Sequence, residues 1–388
     1  MGRLTDIIGE YEKKGPVRFH MPGHKGKTSE LAAEPSHSRD ITELFFTDNL
    51  YEPDSKVNLI YGLEERIAKC FFKDQKTESL ISCAGATLCV QAAILALKNL
   101  KKTRRDIIYV ICDAASHISA INAMQLLDMT PLWIYPGENF LERIKYYANS
   151  QNISGVYVTS PDYFGQMKDI EKISKECKKH SLELVVDNSH GAHLAFHAGG
   201  CLHPIGLGAS LSIDSLHKTL PVLTGAALLH SNGNFDKEID LRPAMKMFAS
   251  TSPSYLILQS IEQMVDLLEE RGSKEHSRLL GEICDFKQKA SGLGFEFGSD
   301  ELRDPYRIVL ECENLGEKLY YFLADQDIVC EFFNNDCTVA LTSISNCAAD
   351  FEKLFLALAE FSKTNKIAPA KSKKYICPPG VPKIIGQN

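Results

Sequence analysis

Leu182-Glu183-Leu184-Val185-Val186-Asp187-Asn188-Ser189-His190-Gly191-Ala192-His193 is an apolar, β-branched run closed by a carboxylate and then broken by small and polar residues. Such a run reads as a buried strand that ends in a loop. Downstream, the run ending Leu211-Ser212-Ile213 leads into Ser215-Leu216-His217-Lys218-Thr219-Leu220. Working outward, further strand candidates are Ser79 to Ser82, Ile107 to Cys112, Pro131 to Tyr135, Gly155 to Thr159 and Ala226 to Leu229. Amphipathic stretches such as Leu88 to Leu97, Phe140 to Ala148 and Ile170 to Cys177 lie between them. Alternation of this kind predicts an α/β fold, with a mostly parallel sheet covered by helices on both faces.

In open α/β sheets, ligands sit at the carboxyl ends of the strands. Asp187 and Lys218 both fall at such ends. A carboxylate and a lysine in this order fit a pyridoxal 5'-phosphate site. The amine holds the cofactor's aldehyde as a Schiff base, and the anion keeps the pyridine nitrogen protonated so that the ring acts as an electron sink. Gly85-Ala86-Thr87 lies between the strand ending at Ser82 and a helix expected to begin near Leu88. Amides at a helix N-terminus, with a threonine hydroxyl, make a phosphate cradle. His117, just past the Ile107 to Cys112 strand, has a flat ring that could stack on a pyridine; an ordinary loop histidine is the equally simple reading. Without its partner, Lys218 would read as a surface lysine and Asp187 as a loop carboxylate.

Composition narrows the function classes. The 388 residues suffice for a large core and two domains, and are 44% hydrophobic and 24% charged. A net charge of −7 with no Lys/Arg-rich tract argues against nucleic acid as a partner. The 12 cysteines are scattered through apolar runs with no Cys-x-x-Cys, which predicts reduced core residues, not disulfides or a metal site. No apolar stretch spans a bilayer and no apolar signal region opens the chain, so a cytoplasmic protein is expected.

Three regions follow. Residues 1–45, polar and rich in turn formers, with a short helix expected from Leu4 to Lys13, read as an N-terminal arm. Residues 46–255 form the large domain. Residues 256–388 read as a small α+β domain with a Pro/Lys-rich tail, entered through a helical stripe from Tyr255 to Glu270.

Five motifs carry a resemblance: Phe19-His20-Met21-Pro22-Gly23-His24-Lys25-Gly26, Asp48-Asn49-Leu50-Tyr51-Glu52-Pro53, Asp187 through His193, His217-Lys218-Thr219-Leu220-Pro221, and Ser252-Pro253-Ser254-Tyr255. In order and spacing, from about residue 17 to 260, the chain resembles the fold-type I ornithine/lysine/arginine decarboxylases. The resemblance implies α-decarboxylation of a basic amino acid with pyridoxal 5'-phosphate, in a polyamine-forming role. It implies that Lys218 forms the Schiff base, that Asp187 partners the pyridine nitrogen and that His117 stacks on the ring. Ser189 or His190 would sit at the other face or near the phenolic oxygen, and Gly85, Ala86, Thr87, Ser215 and His217 around the phosphate. It also implies a homodimer or higher even oligomer with shared sites, the Ser252 to Tyr255 segment reaching a neighbour's phosphate, and no metal. The catalytic set is then Lys218, Asp187, His117 and His190.

Two departures stand out. Ala84-Gly85-Ala86-Thr87 replaces the family's more hydroxyl-rich phosphate loop, and Cys377-Pro378-Pro379-Gly380-Val381-Pro382 is followed almost at once by Gly386-Gln387-Asn388. The same apparatus supports transamination or elimination, because the sink does not choose which bond breaks. A non-catalytic paralogue with a regulatory binding role is the remaining alternative.

Overall fold

The structure, a computed structural model, describes residues 17–19, 59–73, 76–101, 107–150, 152–197, 202–235, 239–250, 253–297 and 302–367. The expected Leu4 to Lys13 helix, the motifs at 20–26 and 48–53, Ser252 and the tail motif at 377–382 lie outside the described residues.

Seven strands form the main sheet: β2 (Glu78–Ser82), β3 (Ile108–Asp113), β4 (Met129–Ile134), β5 (Ile153–Thr159), β6 (Glu183–Asp187), β7 (Leu211–Asp214) and β8 (Ala227–Ser231). Their order is β2-β8-β7-β6-β5-β3-β4, and only the pairings that involve β8 are antiparallel. The central residues of β3 and of β5 to β8 are buried almost throughout, as a sheet covered on both faces requires, whereas those of the edge strand β4 are half-buried or exposed. The covering helices include α1 (Leu59–Phe72), α2 (Gly85–Asn99), α3 (Ile118–Leu126), α4 (Phe140–Ala148) and α5 (Ile170–Lys179). The α2 helix runs so close to the sheet that only glycine fits at Gly155: a Cβ there would lie 2.7 Å from the Glu183 carbonyl oxygen and 2.8 Å from a Leu97 methyl.

After the short α6 (Leu216–Thr219) and α7 (Leu241–Phe248), the chain enters α8 (Tyr255–Ser291), a single helix of 37 residues. It extends well past the stripe expected to end at Glu270. Its N-terminus is capped by the Ser254 hydroxyl, which accepts from the Ile257 amide at 3.4 Å. Beyond it, β9 (Arg307–Glu311), β11 (Phe332–Phe333) and β12 (Cys337–Leu341) make a three-stranded antiparallel sheet, flanked by α9 (Gly316–Asp325) and α10 (Ala348–Thr364).

Of the 1–45 stretch expected as an arm, one segment is described. Val17–Phe19 is a strand, β1, paired in parallel with β10 (Ile328–Cys330). Phe19 is fully buried, with its ring edge-on to Phe351. Burying one such side chain contributes about 1.5–3 kcal/mol. Local composition, read as turn-rich, could not reveal a strand partner some three hundred positions away. No disulfide joins the described cysteines; most are buried, but Cys284 and Cys347 are exposed, against the expectation of core positions.

Candidate active site

The carboxyl ends of β6 and β7 bring Asp187 and Lys218 to one cavity of about 290 Å³. The loop after β3 adds His117, and the first turn of α2 adds Gly85, Ala86 and Thr87. The residues expected to form the catalytic set and to bind the cofactor within one chain, Gly85, Ala86, Thr87, His117, Asp187, Ser189, His190, Ser215, His217 and Lys218, all line this cavity.

Asp187 is buried and held from two sides. The Tyr157 hydroxyl donates to Oδ2 at 3.1 Å, and the Ser189 hydroxyl donates to Oδ1 at 2.5 Å, with the Ser189 amide behind it at 3.2 Å. The carboxylate is therefore aimed, not free to rotate. Burial, reinforced by Asp187, keeps the Tyr157 phenol well above its usual range, so Tyr157 is a donor and not a competing anion.

Lys218 lies on the single turn of α6, with Nζ 3.0 Å from Nε2 of His190. Burial pushes the amine below its ordinary value, while Asp187 and Glu331 pull it back up. Burial and the nearby Lys218 charge hold His190 well below the usual histidine range, so its ring is neutral and accepts from the amine. Tyr163 covers His190, ring centroids 4.7 Å apart. The backbone bends tightly here: a Cβ at Gly191 would lie 2.1 Å from Oδ1 of Asn188. His117 is the N-cap of α3, its Nδ1 accepting from the Ser119 amide at 3.2 Å, with its ring exposed at the cavity mouth. Burial also lowers its basicity.

At the opposite end, the helix begins at Gly85, not near Leu88 as the sequence suggested. Gly85 has φ +77, a conformation that favours glycine, and its amide bonds the Gly225 carbonyl at 2.8 Å. Ala86 and Thr87 thus lie in the first helical turn, where amides have no intrahelical partner and favour an anion. The Ser215 hydroxyl is 3.4 Å from Nδ1 of His217, whose basicity burial depresses.

Sequence reasoning missed several residues. Tyr157 looked like one more apolar residue in a strand, and Tyr163, Thr159 and Asp162 gave no motif, yet all but Tyr157 line the cavity. A tyrosine fully buried within an otherwise aliphatic run is the one signal that could have been used, because a buried phenol needs a partner. Behind the cavity, His193 Nε2 is 2.8 Å from Asp304 Oδ1, and Arg307 lies against both Asp304 and the Tyr163 carbonyl, binding the loop after β6 to the strand β9 region. The Pro253–Ser254 segment lies beside β2 of its own chain, with the Cys83 thiol 3.9 Å from the Ser254 carbonyl.

The donor set fits pyridoxal phosphate: a fixed carboxylate, a partly buried amine of lowered basicity, and an anion cradle of amides and hydroxyls, all facing one cavity. The buried Nδ1 of His190 and Oγ1 of Thr159, both on cavity-lining residues, have no partner among the described atoms, leaving polar groups for a ligand.

The chain is similar to the arginine decarboxylase of Halalkalibacterium halodurans, at 24% identity over 67% of this chain and 54% of that protein. It is similar at 22% identity to the arginine decarboxylase of Bacillus subtilis, over 80% of this chain and 66% of that one. It therefore spans about half to two thirds of the length of these two relatives. Among solved structures, the lysine decarboxylase of Francisella novicida shares the fold, with TM-score 0.65 and 20% identity, over 81% of this chain and 52% of that one. Because residues 3–299 match the family model described as Orn/Lys/Arg decarboxylase, major domain, the chain belongs to the Orn/Lys/Arg decarboxylase family.

Proposed function

We propose that the protein catalyses the pyridoxal-phosphate-dependent α-decarboxylation of a basic amino acid, lysine, arginine or ornithine, to the corresponding amine. The observation that carries this reading is the convergence of Asp187, Lys218 and the first turn of α2 on one cavity. When bound, pyridoxal phosphate supplies the electron sink that takes up the pair left behind as carbon dioxide departs.

The chain's own residues supply the rest. Asp187, clamped by Tyr157 and Ser189, would present its carboxylate to the cofactor's ring nitrogen. Lys218 would hold the cofactor through its Nζ, and the same amine, directed into the cavity, would be placed to give up a proton there. The neutral His190 ring accepts from Nζ and so keeps it directed into the cavity. His117 lines the same cavity, where its ring would be available to stack on the cofactor. Ala86, Thr87, Ser215 and His217 would hold the phosphate.

We further infer a homodimer, or a higher even oligomer, with sites completed across the interface, in line with the family resemblance of the 252–255 motif. Among the described residues no helix is long and apolar enough to cross a membrane. An obligate dimer would bury more than about 2,000 Å² in total. Sedimentation at micromolar concentration is expected to give a dimer or a multiple of one; a stable monomer with full cofactor occupancy sinks the shared-site reading.

The test of the reaction is product analysis by mass spectrometry with lysine, arginine and ornithine in turn. The expected product is a single amine lighter by carbon dioxide. A keto acid would move the reading to transamination, and no turnover of any of the three would overturn it.

A further inference from the structure

Around the end of β7 lies a fully buried polar cluster that the proposed reaction does not use. Asp214 ends β7, immediately before the Ser215-to-Lys218 turn. Its Oδ2 is 2.9 Å from Nε2 of His203 and 3.3 Å from Nε2 of His230; its Oδ1 accepts from the Asn188 amide nitrogen at 2.8 Å. Asp214, His203, His230 and Asn188 are all 0% exposed. The rings of Phe71 and Phe72 seal the histidines, with centroids 5.0–5.4 Å from them.

The three ligand-type atoms lie within 4.8 Å of one another, the spacing of a metal centre. The tautomer argues otherwise. The Ile205 amide donates to Nδ1 of His203 at 3.3 Å, so the ring's proton sits on Nε2 and points at Asp214. A protonated nitrogen is a donor, not a metal ligand. On His230, Nδ1 is 2.8 Å from the Ser79 hydroxyl, which can donate to it and leave Nε2–H to face the same carboxylate. The cluster is therefore an anion held by N–H donors from His203 and Asn188, with the His230 ring 3.3 Å away. Although burial alone would raise the Asp214 carboxyl, the two imidazoles hold it well below the ordinary range.

Its geometry joins the two strand ends that matter. Asn188 follows Asp187 directly, and its amide nitrogen bonds the Ile213 carbonyl at 2.9 Å while its side chain bonds Asp214. Asp214 in turn leads into Lys218 through three residues. We propose that Asp214, supported by His203 and His230, is a positioning residue that, through Asn188, fixes the spacing between Asp187 and Lys218. This inference rests on the pyridoxal-phosphate reading of the site but not on the identity of the substrate.

The test uses the resting holoenzyme and reads the cofactor, so it stands even if no basic amino acid is turned over. Asn188→Ala removes the side-chain bond from Asn188 to Asp214 and leaves the backbone bond to Ile213 and the Asp214–histidine contacts in place. His203→Leu removes a donor to Asp214, whereas His203→Gln keeps an N–H at similar reach. Asn188→Ala and His203→Leu are expected to weaken cofactor binding about tenfold or more, the scale of a lost hydrogen bond to a charged group. They should also shift the pH midpoint of the cofactor's visible band, while His203→Gln stays near wild type. Thermal melting of Asn188→Ala within a few degrees of wild type separates positioning from a folding defect. Unchanged affinity and band midpoint in folded Asn188→Ala would overturn the proposal. So would stoichiometric metal in the purified wild-type protein that is lost in His203→Leu.

Discussion

Nζ of Lys218 and Nε2 of His190 are 3.0 Å apart, although 28 positions separate them in the chain. The contact joins the turn after β7 to the loop after β6, and it sets a neutral ring against an amine whose basicity burial has reduced. A lysine in that state is uncharged over more of the pH range than an exposed one, and the uncharged amine is the nucleophile.

Capture of pyridoxal phosphate by the apoprotein should therefore rise with pH and reach its midpoint below the ordinary lysine value of 10.5. Borohydride should fix the cofactor to the Lys218 peptide, and Lys218→Ala should abolish the label. A midpoint at or above the ordinary value, or a label on another lysine, counts against the assignment.

Asp187→Asn keeps the size of the side chain and removes its charge. The protein is expected to fold normally, with turnover reduced by at least about a hundredfold, the scale of a lost preorganised electrostatic contact. Steady-state kinetics beside circular dichroism checks both halves, and near-normal turnover rules out the role.

Tyr157→Phe removes one of the two hydroxyls that aim Asp187. A hydrogen bond to a charged group is worth about 1.5–3 kcal/mol, so a loss of turnover of at least about tenfold is expected, smaller than for Asp187→Asn. Equal losses in the two variants would mean that Tyr157 does more than orient the carboxylate.

His276 offers a pH test of stability. It is buried beside Phe196, with ring centroids 5.2 Å apart, and its Nδ1 is 3.0 Å from the Tyr306 hydroxyl. Burial lowers its pKa from 6.5 to about 3. A histidine whose folded pKa is depressed contributes stability that is fully present above pH 6.5 and is lost as pH falls from 6.5 toward 3, because the unfolded chain takes up the proton first. His276→Phe should flatten this dependence: its melting temperature should fall by a few degrees less than the wild type's between pH 7 and pH 5, at about 2–4 °C per kcal/mol. Parallel melting curves across that range would exclude His276 as the titrating group.

What the sequence by itself determined is what local pattern encodes. Apolar runs closed by Asp187 and leading into Lys218 marked the strands of a parallel sheet, and the strand ends named the places where chemistry collects. The helix that begins at Gly85 was legible to within one turn. Only the tertiary structure decided which groups hold those residues in place. Tyr157 reaches Asp187 across 30 positions, His193 reaches Asp304 across 111, and Arg307 meets the Tyr163 carbonyl across 144. Val17–Phe19 finds its partner strand only at Ile328–Cys330. Periodicity reports whether a side chain is buried and leaves open what it is buried against. Hydrogen bonds between distant segments form only after the sheet has brought those segments together.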